Sequence, residues 1–166
     1  MCRSIAKLIS AMALALMALV VVFMVGMRAK SPPVLNTVRR VNRSVSNPRA
    51  MKTAGTPGAY ASVIRHVGRT TGQEYETPVG AIATDDGFVI ALPYGTQADW
   101  LKNVIASGSA TIVDEGETYQ VDQPEVVLTS EAVQHFPPKE QRAHRLFAVD
   151  QTLKVRRVDT GDTPES

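Results

Sequence analysis

Cysteine is nearly missing from this chain: Cys2 stands alone among 166 residues, so no intramolecular disulfide can form. Histidine is almost as sparse. His66, His135 and His144 are scattered and give no zinc-ligand spacing. Neither a G-x-S-x-G elbow nor a phosphate-binding P-loop occurs, and there is no internal repeat or low-complexity block. Residues 1–52 hold no Asp or Glu at all but nine Lys and Arg. Residues 53–166 hold nine basic and sixteen acidic residues, a net charge of −7. A basic arm therefore precedes an acidic domain, and the domain lacks the basic face that nucleic acid requires.

The N-terminus has apolar residues in excess. Leu8–Met27 is an uncharged run of 20 residues; at ~1.5 Å per residue it matches a hydrocarbon core of ~30 Å. A cleaved signal peptide has a shorter core and an A-x-A-like site, which Phe23-Met24-Val25-Gly26-Met27-Arg28 does not offer. Residues 1–28 thus read as an uncleaved membrane anchor. Arg3 and Lys7 precede the span; Arg28, Lys30, Arg39, Arg40, Arg43, Arg49 and Lys52 follow it. This bias places the domain on the cytoplasmic face of the plasma membrane, with a single pass. The same cations can attract anionic lipid. Residues 29–57, with Pro32, Pro33, Pro48 and Pro57, read as a basic linker. Within it Val34, Leu35, Val38 and Val41 suit either a short amphipathic helix on the membrane or an extended tether.

From Gly58 the pattern changes to short apolar runs separated by turns, giving a domain over 58–160 and a frayed tail at 161–166. Ala59–Val67 and Glu74–Thr84 read as paired strands. Asp85-Asp86-Gly87 reads as a hairpin turn into Phe88–Tyr94. Trp100, Leu101, Val104 and Ile105 fall at helical spacing. Two strands, Ala110–Asp114 and Thr118–Leu128, meet at Glu115-Gly116-Glu117. A helical stretch follows, restarted at Pro137-Pro138, and then a last strand over Thr152–Val158. About six mainly antiparallel strands with one or two helices make an α+β, barrel-like domain behind an N-terminal transmembrane helix.

The turn Gly68-Arg69-Thr70-Thr71-Gly72-Gln73 carries more hydrogen-bonding capacity than a hairpin needs. Its glycines permit positive φ and close approach of a ligand. Successive N–H groups can form an anion-binding concavity, and Arg69 adds a bidentate fork. An ordinary exposed β-turn is the other reading of these six residues alone. His66, beside the turn, reads as a structural strand-end residue.

Taken in order, G-R-T-T-G-Q…T-P-V, D-G-F-V-I-A-L-P-Y-G and D-W-L-K-N-V followed by S-G-S-A resemble the deazaflavin-dependent nitroreductase family, over roughly residues 60–128. The resemblance implies a split β-barrel and use of the reduced deazaflavin coenzyme F-420. It implies that Gly68, Arg69, Thr70, Thr71, Gly72 and Gln73 hold the coenzyme's phosphate and acidic tail. Leu92, Pro93, Tyr94 and Gly95 would border its ring system, and Asp99, Trp100 and Asn103 would open the helix beside it, with Trp100 also suited to the core. Two positions depart from the family pattern. Gly95 stands where some members carry lysine, and His144-Arg145-Leu146-Phe147 replaces a tyrosine cluster that lines the acceptor pocket. The implied activity is hydride transfer to a small hydrophobic acceptor, quinone-like or a nitro compound, through an apolar pocket mouth near Trp100 and Phe147. An FMN-binding split barrel and a non-catalytic, membrane-tethered module are the alternatives.

Overall fold

A computed structural model describes residues 2–158; the expected frayed tail at 161–166 lies outside them. Helix α1 spans Cys2–Arg28. Its Ile9–Arg28 stretch has a mean hydropathy of 2.6 and packs on almost nothing else in the molecule. It is long and apolar enough to cross a membrane, as a signal sequence also is. The helix ends in a Schellman reversal: Lys30 takes the left-handed conformation at φ 51, and the Ser31 amide reaches back to the Gly26 carbonyl at 2.9 Å.

Beyond the reversal, the stretch read as an amphipathic helix or an extended tether is helical. Helix α2 runs Pro32–Val41, widens into a π-turn at Asn42–Ser46 and continues as α3, Asn47–Ala50. Pro48 has no N–H to return to the preceding turn, which gives the widened segment its physical reason. The arm docks on the domain. Leu35 is buried, and Arg39 and Arg43 donate to the Tyr94 carbonyl and to Asp99.

The domain is a curled antiparallel half-barrel of seven strands: β1 Ser62–Val67, β2 Glu74–Val79, β3 Ala81–Ala83, β4 Gly87–Ala91, β5 Ser109–Asp114, β6 Glu117–Leu128 and β7 Gln151–Arg157. The order across the sheet is β2-β1-β5-β6-β7-β4-β3. The expected strand Glu74–Thr84 is thus two strands, divided at Gly80, which pair at opposite edges with β1 and β4. A single residue connects the two edges, so the sheet must curl until they meet at that corner. This division also accounts for a seventh strand where about six were expected.

Local chemistry sets the hairpins. Glu115 and Gly116 both have positive φ, at 51° and 83°, as a two-residue turn of the type matching strand twist requires. At the other hairpin the Thr84 hydroxyl donates to Asp86 at 3.0 Å, and the Thr84 amide to the Gly87 carbonyl at 2.9 Å.

Helix α4, Asp99–Ser107, sends Leu101 and Val104 into a core with Ile64, Phe88, Ile90, Ile112, Leu153 and Val155. Strand β4 is buried on both faces, because Val89 points the opposite way from Phe88 and Ile90. There it meets Ala132 of the short helix α5, Thr129–Ala132, and Phe136. Helix α6, Pro138–Phe147, completes the molecule. His144, on α6, sets its ring edge-on against Phe136 at 4.6 Å and is half-buried rather than an ordinary surface residue.

Candidate functional site

The turn between β1 and β2 is closed by two backbone bonds, Gly68 N–H to the Gln73 carbonyl at 2.7 Å and Gly72 N–H to the Gly68 carbonyl at 2.8 Å. Each glycine has its own reason. A Cβ on Gly68 would run into the Thr71 hydroxyl and the Tyr75 ring, whereas Gly72 needs its φ of 65° in open space. Part of the surplus polarity is spent inside the turn. The Thr71 hydroxyl lies 3.2 Å from the Tyr75 hydroxyl and accepts the Gln73 amide at 3.3 Å. The amides of Thr70 and Thr71 make no hydrogen bond among the described residues, and both residues are exposed.

Arg69 ties this turn to the start of α4. Its guanidinium pairs with the Asp99 carboxylate at 3.2 Å and donates to Asn103 Oδ1 at 2.7 Å, while its amide donates to the same oxygen at 3.2 Å. Two donors on Oδ1 fix the Asn103 amide, so Nδ2 donates to His66 Nδ1 at 3.2 Å. His66 is thereby the neutral tautomer that carries its proton on Nε2, 3.3 Å from the Thr77 hydroxyl. Burial lowers its pKa from the ordinary histidine value, in agreement with that state. Asp99 is held below the usual carboxylate range, first by its hydrogen bond from Arg69, with Arg43 adding to the effect.

The remaining expected residues divide between two places. Leu92 is buried in the core and Trp100 packs against it. The Pro93 and Tyr94 carbonyls face the arm, accepting from Lys30 Nζ at 3.5 Å and from Arg39. Tyr94 and Gly95 line a cleft of about 300 Å³ whose other wall is the arm. Gly95 has φ 69 and nothing within 4 Å of where a Cβ would stand.

The structure therefore gathers Arg69, Asp99 and Asn103 at the turn, sets Tyr94 and Gly95 in the cleft, and turns Leu92 and Trp100 toward the core. Arg43, on the arm that walls the cleft, pairs with Asp99 at 3.2 Å. A separate apolar trough of about 490 Å³ runs beside α4, lined by Leu101, Ile105, Ala106 and Val126. Neither Trp100 nor Phe147 is among its lining residues.

In the sequence Lys30, Arg39 and Arg43 read as orienting and lipid-attracting charge; the structure also gives them contacts with the domain. Their signal was present: Leu35, Arg39 and Arg43 recur at i, i+4, i+8, one stripe of a helix.

No family model and no curated protein matches this chain. Solved structures do. An F420-H2-dependent reductase (FDR-A) is similar over 58% of this chain and 94% of its own, at 14% identity and a TM-score of 0.45. A second F420 reductase is similar over 64% and 91%, at 10% identity and a TM-score of 0.43. A protein of unknown function from Agrobacterium tumefaciens strain C58 is similar over 60% of this chain and 48% of its own, at 13% identity and a TM-score of 0.43.

Proposed function

We propose that this chain is a membrane-anchored oxidoreductase that binds a reduced deazaflavin coenzyme, F-420, and reduces a small hydrophobic acceptor, quinone-like or a nitro compound. The observation that carries the reading is the Gly68–Gln73 turn, fixed to α4 through Arg69 while the amides of two adjacent exposed residues have no hydrogen bond among the described residues. Its donor set suits a polyanionic tail: the Thr70 and Thr71 amides, the Thr70 hydroxyl, and the Arg69 guanidinium with Arg43 behind Asp99. Asp99 already holds part of the Arg69 fork, so an incoming anion competes with that carboxylate and shares the guanidinium rather than finding it free.

When bound, the coenzyme supplies the hydride, and the protein's contribution is to position it against the acceptor. The described residues fit such a division. His66 is buried, neutral and committed to Asn103 and Thr77, so it holds a hydrogen-bond chain in place and exchanges no proton with a substrate. The trough beside α4 is the apolar surface that suits the acceptor.

The anchor reading rests on α1, whose apolar surface meets almost nothing in the protein. The cytoplasmic orientation rests on two basic residues before the span and seven after it. One experiment addresses coenzyme and orientation together, because a polyanionic coenzyme does not cross a bilayer. Inverted membrane vesicles carrying the full chain should quench deazaflavin fluorescence on titration, and right-side-out vesicles should not. Quenching in right-side-out vesicles alone contradicts the orientation. Binding of FMN in place of the deazaflavin contradicts the coenzyme assignment, and binding of neither leaves a non-catalytic tethered module.

A further inference from the structure

The cleft between the arm and the 93–97 loop stands at the end of the apolar span, and the mechanism proposed above does not use it. Lys30, only two residues past the end of α1, is on its wall with Leu35 and Arg39. A second contact ties the end of α1 to the domain. Arg28 Nη1 donates to the carbonyls of Arg145 and Leu146, at 3.0 and 2.7 Å, at the C-terminal end of α6. If α1 crosses the membrane, the domain is thereby held with the cleft in the headgroup layer.

The wall chemistry then names a ligand. Arg39 spends one N–H of Nη1 on Asn36 and one of Nη2 on the Tyr94 carbonyl. Its Nε is buried and has no hydrogen-bond partner. The second N–H of each Nη is uncommitted among the described residues, and with Arg39 on the cleft wall these are the donors a phosphate oxygen can meet. The cleft thus presents a guanidinium with donors to spare, and an oxygen anion is the group that satisfies both its charge and those donors. The charge balance fits as well. Lys30 and Arg39 give two positive charges, and Asp150, 4.0 Å from Lys30 Nζ and largely exposed, gives one negative. A monoanionic phosphodiester neutralises the remainder. The neutral polar groups of Asn36, Thr96, Gln97 and Gln151 around it suit hydroxyls on the headgroup.

We infer that this cleft binds the headgroup of an anionic phospholipid, a phosphodiester with a hydroxylated substituent, at the membrane surface. The inference rests on α1 crossing the bilayer and on the coenzyme leaving the Tyr94 and Gly95 wall free; lipid retention and coenzyme titration are separate readouts, so the two failures are distinguishable.

The test uses the full chain in nanodiscs of phosphatidylcholine doped with phosphatidylglycerol, with the retained lipid read by native mass spectrometry. The parent should retain phosphatidylglycerol in preference to phosphatidylcholine. Arg39→Ala should reduce that preference about tenfold. Arg40→Ala, which removes the same charge from an exposed position, should change it by less than about twofold. Should Arg39→Ala fail to fold, Lys30→Gln leaves the Arg39 contacts in place and is expected to show the same directional loss. Equal losses from the Arg39 and Arg40 variants would mean diffuse attraction and overturn the site. Displacement of the lipid by glycerol phosphate, in detergent-solubilised chain, would make the occupant a soluble anion. Displacement by the deazaflavin coenzyme would assign the cleft to the coenzyme. Either result overturns the lipid assignment.

Discussion

Arg69 has two tasks that a single substitution must separate. It closes the turn onto α4 through Asp99 and Asn103, and it presents a positive charge beside the unspent amides of Thr70 and Thr71. Arg69→Ala is expected to weaken coenzyme binding by about 1.5–3 kcal/mol, the worth of a hydrogen bond to a charged group. Fluorescence titration reads the affinity, and circular dichroism of the same sample reads the fold. Equal affinity in variant and parent would remove the turn from the site; loss of fold would make Arg69 purely structural. His66 carries a pH prediction. Burial lowers its folded pKa below the ordinary 6.5, so the unfolded chain binds more protons as the medium turns acidic. The contribution to stability is complete above about 6.5 and is lost as pH falls through that value toward the lowered folded one. His144, also lowered by burial, acts in the same direction. Urea unfolding of the detergent-solubilised chain between pH 8 and 5 should show this decline, and His66→Gln should remove part of it. An unchanged slope in the variant would mean that His66 does not titrate on unfolding.

At the scale of elements, the sheet depends on close backbone contact where β4 meets β7. A Cβ on Gly87 would run into the Val155 carbonyl, main chain that cannot turn aside. Gly87→Ala should therefore destabilise by about 3 kcal/mol, whereas Gly72→Ala, strained only by its φ, should cost about 1 kcal/mol. Denaturation midpoints of the two variants compare them directly, and equal costs would contradict the packing. The same elements show what was legible in the sequence. Asp85-Asp86-Gly87 and Glu115-Gly116 carry their turns in their own residue types, and the helical spacing of Leu101 and Val104 identifies α4 unaided. The break at Gly80 was not legible. Tyr75, Thr77, Val79 and Ala81 keep one alternation across it, and only pairing to opposite edges of a curled sheet divides the run. The site was legible in part for a related reason. The turn announces itself by excess donors, but its bond to α4 spans 34 residues, and no local pattern records which carbonyl or carboxylate Arg69 will meet. Leu92 shows the converse: its place beside Pro93 and Tyr94 is local, but the sheet turns its side chain inward.

For the whole molecule, the charge asymmetry and the architecture express one arrangement. The basic arm lies on the acidic domain, with Arg43 on Asp99 and Lys30 near Asp150, and the apolar stretch of the helix ahead of it packs on almost nothing else among the described residues. The arm forms a wall of the domain, and that role was hidden in the sequence because the loop it covers follows more than 50 residues later. Anchored as proposed, the domain would meet lipid-soluble acceptors at raised effective concentration. The central claim is that the chain passes reducing equivalents from a deazaflavin coenzyme to such an acceptor. The most direct measurement is single-turnover absorbance of reduced F-420, mixed with vesicles that hold both the full chain and a long-tailed quinone. The account predicts conversion to the oxidised coenzyme at a rate that rises with the amount of chain and falls with Arg69→Ala. Conversion no faster than in vesicles without the chain would contradict it.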